Sequence, residues 1–466
     1  MRFFSPADPR PVHFIGVAGA GMSALAVLLR HRGLAVTGCD RDPDGPGGAA
    51  SSGDVRRAGG VVTAGHDPSH VEGAQAVVVT AAVPPDHAEL ERARALGIPV
   101  VRRADALAAA VAPGLVVAVA GTHGKTTTTA MTTEALAAAG LDPTGIAGGR
   151  VASWSGNTRL GGDAIFVVEA DEYDKSFLAL SAEVAVINNV EADHLECYGS
   201  LEKLEDAFVE FARPARRVIA GADDPGASRV AARTGRPTWT VGVAAQADVR
   251  IGGIAQAAAG TAAEVALPGG RTAELRLRVP GLHNVRNAAA ALAVVVELGG
   301  KLEPALDALA VFPGVGRRFE VLGSVGGVTL VDDYAHHPTE IRSTLEGARQ
   351  AYPGRRLVAV FQPHLFSRTA QHGPAMGKAL AGADVVVVTD VYAAREAPIA
   401  GVSGRMVADA ARVEGREVHW VPARADLASE VAGLVQSGDV VLTLGAGDIT
   451  AAAREIEALL HERKRS

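Results

Sequence analysis

From end to end, short valine-rich or β-branched runs alternate with stretches in which apolar residues recur at helical spacing. That alternation predicts an α/β chain with largely parallel sheets. Val12–Val17 reads as a strand, Gly19-Ala20-Gly21 as a tight turn and Met22–Arg30 as a helix; weaker strands follow at Ala35–Thr37, Ala76–Thr80 and Ile98–Val101. A second unit restarts with strand Leu115–Ala120, loop Gly121–Gly124 and a helix from Lys125, and continues through strands Ala164–Val168 and Val184–Ile187. Residues 245–279 are rich in Gly, Ala and Thr with alternating apolar positions, so they read as inserted hairpins, followed by helix His283–Leu298. Phe312–Gly316 reads as a linker. Beyond it, strands are expected near Val328–Val331, Leu357–Phe361, Val385–Thr389 and Val440–Leu444. At about 150 residues per domain, the length of 466 residues gives roughly three domains, expected at 1–108, 109–315 and 316–466.

Composition narrows the class. Hydrophobic residues make up 48% and charged residues 21%, which is ordinary for a soluble globular protein and excludes disordered, collagen-like and coiled-coil chains. A net charge of -7 offers no basic field for a nucleic-acid backbone. Two cysteines, Cys39 and Cys197, exclude a disulfide scaffold and a Cys-rich zinc site. The opening MRFFSPADPRP is broken by prolines and charges, unlike a signal peptide. Apolar runs such as Leu115–Ala120 fall far short of the ~20 residues that span a bilayer. The expectation is a cytoplasmic protein with no nucleic-acid or membrane partner. The scarcity of lysine beside arginine reads as codon bias.

Two glycine loops carry the chemistry. Gly19-Ala20-Gly21-Met22-Ser23-Ala24 fits G-x-G-x-x-G/A after a strand and at the start of a helix, where backbone N–H groups approach a diphosphate. Asp40, ending the second strand, stands where a ribose-binding carboxylate is expected. On this loop alone an NAD-dependent dehydrogenase stays open. Gly121-Thr122-His123-Gly124-Lys125-Thr126-Thr127 is a sharper signal, because it joins an apolar strand to a helix. Its N–H groups would cradle phosphates, Lys125 would hold a transferring γ-phosphoryl group, and Thr126 would ligate Mg²⁺. Val119 stands where the general phosphate loop has its first glycine, which separates this chain from ordinary P-loop kinases.

Glu169-Ala170-Asp171-Glu172-Tyr173-Asp174 and Asn188-Asn189-Val190-Glu191-Ala192-Asp193-His194 each follow an apolar strand, at the strand ends where open parallel sheets bind ligands. Carboxylates beside phosphates need an intervening divalent cation, and oxygen ligands with one imidazole suit Mg²⁺ or Mn²⁺.

With these segments in view, the chain resembles the Mur ligase family over almost its whole length. The short GTHGKTT loop, EADEYD, NNVEADH and Pro280–Ala288 resemble that family's central ATP-binding domain. HFIGVAGAGMSALA, Gly316–Glu320, Asp332–Glu340, Phe361–His364, Asp390–Glu396 and Leu444–Asp448 resemble its alanine-adding branch. The resemblance implies a three-domain α/β architecture: a Rossmann-like N-terminal domain, a central P-loop ATPase-like domain and a Rossmann-like C-terminal domain. It implies an ATP-dependent ligase that joins L-alanine to UDP-N-acetylmuramate through an acyl phosphate, in a monomer or weak homodimer.

The residue roles it implies are specific. Gly19, Ala20, Gly21, Met22, Ser23, Asp40 and His66 would bind the UDP-sugar. Gly121, Thr122, His123, Gly124, Lys125, Thr126 and Thr127, with His283, Asn284, Asn287, Arg317, Arg318 and Asp333, would bind ATP. Lys125, Glu169 and His194 would be catalytic, and Thr126, Glu169 and His194 would hold Mg²⁺ (or Mn²⁺). Tyr334, His336, His364 and Arg368 would face the amino acid. Leu365 stands where some relatives carry arginine, which shifts weight onto Arg368. Between His194 and Arg217 the only lysine is Lys203, so no carbamylated lysine is expected. His66 and His70 also read as surface or capping groups near turns, and Cys197 as inert. A ligase that attaches a preformed tripeptide to the same sugar nucleotide is the close rival, and a non-catalytic nucleotide-binding scaffold a third reading.

Overall fold

The computed structural model describes residues 3–45, 47–257, 260–394 and 396–465; Arg395, within one of the quoted motifs, lies outside them. Three sheets organise the chain, each built on the valine-rich runs. The first contains β1 (Val12–Ile15), β2 (Val36–Asp40), β3 (Val61–Ala64), β4 (Ala76–Val79) and β5 (Val100–Arg102). They lie in the order β3-β2-β1-β4-β5, with all pairs parallel. Strand order reverses at β1, so the glycine loop that follows β1 sits at the crevice where such sheets bind ligands. Val12 and Phe14 belong to the main core with Leu25 and Leu28 of helix Ala20–His31. Ile15, Cys39, Val77 and Val79 form a separate core with Leu90 and Ala93 of helix Ala88–Ala95.

The second sheet contains β6 (Leu115–Ala120), β7 (Pro143–Val151), β8 (Gly156–Arg159), β9 (Gly162–Glu169), β10 (Val184–Ile187), β11 (Arg217–Gly221), β12 (Thr238–Gly242), β13 (Val249–Ala257), β14 (Gly260–Leu267) and β15 (Arg271–Leu277). Their order is β15-β14-β13-β12-β11-β10-β6-β9-β7-β8. Central β6 runs parallel to both β9 and β10, so its loop opens between the ends of those two strands. β14 and β15 are joined by only three residues, two of them glycines with positive φ (Gly269 +82°, Gly270 +74°). That connection is too short for a parallel crossover, so this is the expected inserted hairpin.

The third sheet contains β16 (Glu320–Val325), β17 (Val328–Asp333), β18 (Leu357–Phe361), β19 (Val385–Val388), β20 (Glu417–Trp420) and β21 (Val440–Leu444), ordered β16-β17-β21-β18-β19-β20. Only β16 is antiparallel to its neighbour. Alternate residues feed two cores: Ala359, Phe361, Val386, Val388, Leu442 and Leu444 one side, Val358, Val360, Val385, Val387 and Val441 the other. Burial on both faces is why these strands read as unbroken apolar runs.

The chain forms two compact units. One comprises residues 1–253, 263–275 and 286–312, with the first sheet and most of the second; the other comprises 254–262, 276–285 and 313–466, with the third sheet. At the expected linker, Phe312 and Val315 are both buried. Seven strands were not expected: β3, β7, β8, β11, β12, β16 and β20. β3 and β16 are edge strands with a single buried residue between them, Val325, so neither carries an apolar alternation. The first helix starts at Ala20 because Gly19 already takes the extended conformation of an N-cap (φ -66°, ψ 141°). Among the described residues no helix is long and apolar enough to cross a membrane.

Leu442 is fully buried at the centre of the third sheet, whereas Val413 is 86% exposed. Leu442→Ala should lower the unfolding free energy of its unit by about 2–5 kcal/mol. Val413→Ala should leave the same urea transition within about 0.5 kcal/mol of the parent.

Candidate active site

The loop after β6 turns on glycines. Gly121 (φ +136°) and Gly124 (φ +78°, the N-cap of helix Lys125–Ala138) both hold conformations that L side chains resist. A Cβ on Gly124 would also come within 2.8 Å of Asn287 Oδ1, so the structure brings Asn287 to this loop. The loop is fastened to the end of β10. Asn189 Oδ1 accepts from His123 N–H (2.7 Å), Thr122 N–H donates to Asn189 O (3.0 Å), and Asn188 Nδ2 donates to His123 O (3.2 Å) and Thr128 Oγ1 (3.0 Å). Glu191 N–H closes the set on Thr122 Oγ1 (2.9 Å). Sequence reasoning gave the asparagines no role; the only signal was their position after an apolar strand beside the glycine loop.

Lys125 lies folded over this loop. Its Nζ donates to Gly121 O (2.8 Å) and to both carboxylate oxygens of buried Glu172 (2.8 and 2.9 Å). Burial opposes the ammonium, but the carboxylates of Glu172, Asp171 and Glu169 outweigh it and hold the group above the ordinary lysine range. Glu172 had no assigned role from sequence, although it lies within the quoted acidic segment.

Glu169, at the end of β9, accepts from Thr126 Oγ1 (3.0 Å) and from Gly148 N–H. Burial pushes its pKa up, with Gly148, Lys125 and Thr126 pulling the other way. His194 takes a left-handed conformation (φ +54°), with Nδ1 3.4 Å from Glu196 Oε1 and its ring 5.2 Å from that of Tyr173. Among the described residues, no cluster of three or more His, Cys, Asp or Glu donors close enough for one ion includes Glu169 or His194. Burial raises the pKa of the Cys197 thiol, in keeping with an inert group.

The first glycine loop is pinned from β2. Gly16 and Val17 N–H donate to Cys39 O (2.8 and 3.0 Å), and Asp40 Oδ2 accepts from Ala18 N–H (3.0 Å). One oxygen of the carboxylate expected at a ribose thus closes the loop. Met22 and Ser23 are buried, and Ser23 Oγ donates to Ala20 O (3.0 Å), so these two side chains face inward. A Cβ on Gly21 would meet the guanidinium of Arg103 at 2.9 Å, which sets a positive charge over the loop. No motif marked Arg103. His66 is exposed and His70 half-buried, and each places its Nδ1 beside the carboxylate of Glu89, at 3.4 and 3.0 Å.

In the other unit, candidate residues gather at the C-terminal ends of β17, β18 and β21. Asp333 accepts from Phe319 N–H (2.7 Å) and Ala335 N–H (2.8 Å), and burial raises it to about 6. Arg317 and Arg318 lie over the Tyr334 ring, with guanidinium carbons 4.8 and 5.1 Å from its centroid. Arg317 also donates to Gly445 O (2.7 Å) and holds positive φ (+59°). His336 Nδ1 meets Tyr334 O (2.9 Å). His337 instead caps helix Pro338–Ala351. His364 stacks on Tyr392 (5.7 Å, 14°), and burial with nearby Arg368 lowers its pKa to about 4. Leu365 takes φ +69° at the entry to helix Phe366–Leu380, where Arg368 is buried. Asn284 Nδ2 donates to Pro280 O (2.7 Å), and Gly281 (φ +95°) leaves room for the His283 ring.

Three family models match the chain in succession: Mur ligase family, catalytic domain, over residues 11–113; Mur ligase middle domain over 119–295; and Mur ligase, glutamate ligase domain, over 317–447. A UDP-N-acetylmuramate–L-alanine ligase of Kineococcus radiotolerans is 46% identical over 97% of this chain and 96% of its own. The crystal structure of a UDP-N-acetylmuramate–alanine ligase from Thermotoga maritima superposes with a TM-score of 0.81 at 31% identity, covering 98% of this chain and 99% of that one. A murein peptide ligase of Psychrobacter arcticus gives 0.72 at 26% identity, over 97% and 99%. Matching in sequence from end to end and in a three-sheet architecture with a lysine-bearing loop at its centre, the chain belongs to the Mur ligase family.

Proposed function

We propose that this chain is an ATP-dependent ligase that joins L-alanine to the carboxylate of UDP-N-acetylmuramate, releasing ADP and phosphate, in peptidoglycan precursor synthesis in the cytoplasm. The observation that carries the reading is the Lys125 loop, tied to β10 and set among buried carboxylates, in a chain similar throughout to proteins named for that reaction. A resting carboxylate does not condense with an amine, because hydroxide is too poor a leaving group. Transfer of the γ-phosphoryl group to a carboxylate oxygen gives an acyl phosphate and ADP. The amine nitrogen then attacks the acyl carbon, and phosphate departs with the electron pair of the broken C–O bond.

The chain's own groups fit these needs. Residues 121–127 offer N–H groups to the phosphates, with His123 and Asn287 at the loop's edge and Lys125 offsetting the charge of the γ-phosphoryl group. Glu172 holds the ammonium in place. Thr126 and Glu169 present oxygen donors from a part-buried pair, with His194 beyond them, a set that suits Mg²⁺ or Mn²⁺. Such an ion, when bound, screens phosphate charge. His283, Asn284, Arg317, Arg318 and Asp333 belong to the nucleotide side of the reading. Asp333, bonded to two backbone amides, orders the arginine segment there. The loop Gly19–Ser23 with Asp40 and Arg103 takes the UDP-sugar. Tyr334, His336, His364 and Arg368 take L-alanine, with His364 orienting the amino acid in its neutral form. Divisions at 1–108, 109–315 and 316–466 give the UDP-sugar to the first, ATP to the second, and the amino acid with part of the ATP site to the third.

Phosphate release from ATP with Mg²⁺ and UDP-N-acetylmuramate should be fastest with L-alanine, compared with glycine, L-serine and the tripeptide. Release with the tripeptide alone would replace this reading by the recycling ligase. Lys125→Ala should cut turnover at least about 100-fold, the scale of losing one key charge contact; near-parental turnover would remove the loop from the chemistry. His364 makes a separate prediction about stability. Its folded pKa lies below the ordinary 6.5, so the unfolded chain takes up the proton first as pH falls. The stability it contributes is full above about 6.5 and lost as pH drops through about 4. Across that window His364→Asn should lose less stability in urea titrations than the parent, and parallel losses would contradict the buried neutral imidazole.

A further inference from the structure

Glu89, from helix Ala88–Ala95, is wholly buried, and no lysine or arginine answers its charge among the described partners of its carboxylate. One oxygen is committed to the protein: Oε1 accepts from Asp67 N–H (3.1 Å) and lies 3.0 Å from His70 Nδ1. The other, Oε2, faces His66 Nδ1 (3.4 Å) and His87 Nδ1 (3.8 Å), and Cys39 Sγ lies 3.2 Å from both oxygens. Cys39 Sγ and His66 Nδ1 are themselves 3.3 Å apart. Around a tetrahedral ion with metal–sulfur and metal–nitrogen bonds near 2.3 and 2.0–2.1 Å, neighbouring donors stand about 3.3–3.6 Å apart. Cys39, His66 and Glu89 already have nearly that spacing, with His87 Nδ1 slightly farther from the carboxylate.

A hydrogen-bonded cluster alone would satisfy its buried nitrogens. Here His87 Nδ1 is buried without a hydrogen-bond partner. So is Nε2 of His13, a 2% exposed residue whose donor atom lies within 4.8 Å of those of Cys39 and Glu89. We propose that Cys39, His66, His87 and Glu89 form a binding site for one soft divalent cation of the zinc class. Thiolate, imidazole and carboxylate together suit such an ion rather than Mg²⁺. Cys39 gives up its thiol proton to solvent as the sulfur–metal bond forms. The His66 and His87 side chains remain 30% and 17% exposed, which leaves a path of entry. Asp67 and His70 fix the carboxylate from behind, as outer partners of metal ligands do. A bound ion would fasten the end of β2 to the loops after β3 and β4.

The test is Co²⁺ titration of the full chain after chelator treatment. One equivalent should bind with a near-ultraviolet thiolate charge-transfer band and the intense visible absorption of tetrahedral Co²⁺, and Zn²⁺ should bleach both. Cys39→Ser should abolish the thiolate band, His87→Ala should weaken binding at least about 10-fold, and Cys197→Ser should change neither. Circular dichroism checks that each variant is folded; should Cys39→Ser not fold, the partly exposed His87 decides the matter. Absence of the thiolate band, its persistence in folded Cys39→Ser, or unchanged affinity in His87→Ala would each overturn the proposal.

Discussion

An ammonium group buried at the foot of a phosphate loop must stay charged and stay aimed, and the rest of the central sheet serves that constraint. Lys125 is held by Glu172, and Glu172 is held in turn, because its backbone carbonyl accepts from the hydroxyl of Tyr198, a core residue. The loop's shape comes from the opposite side, through the amides of Asn188 and Asn189. Strand β6 alone would leave its glycines free to turn many ways. Pairing β6 to β9 on one flank and β10 on the other brings the carboxylates and the asparagines to the two sides of one loop. Sheet order is thus a condition of the chemistry.

What was legible in the sequence was what depends on neighbours along the chain. Strands buried on both faces announce themselves as apolar runs, and the lysine loop is a contiguous string between a strand and a helix. Edge strands β3 and β16 carried no such signal, because only Val325 among their residues is buried. Contacts between segments distant in sequence were equally silent. Glu172 is 47 residues from Lys125, and Asn189 is 66 from His123. His66 and His70 flank an Asp-Pro turn, so local reasoning made them surface or capping groups; the carboxylate beside both, Glu89, is on another element.

The same limit explains the histidines of the third sheet. His336 and His337 are adjacent, yet one binds a carbonyl two residues back and the other caps a helix with Glu340. A change of direction at the helix start sends the two rings apart, and no residue pattern alone separates their tasks. His364 differs again. Stacked on Tyr392 and neighboured by Arg368, it is kept neutral well below the range of a free imidazole. A ring that binds a proton so weakly is poorly matched to taking one from an ammonium, but it can donate or accept a hydrogen bond in fixed geometry.

Charge balance around Lys125 gives the last constraint. One ammonium faces three carboxylates, Glu169, Asp171 and Glu172, whose fields all act on it. A triphosphate entering such a place adds negative charge to a site already in excess, in surroundings where screening by water is weak. Glu169 carries the strain of this: burial lifts its pKa, and its direct partners are a hydroxyl and an amide rather than a cation. On the proposed reading, then, a divalent cation is part of what admits the nucleotide. Lys125, already committed to Glu172, cannot offset both the carboxylates and the phosphates, and the half-buried Thr126–Glu169 pair is where the missing positive charge is called for.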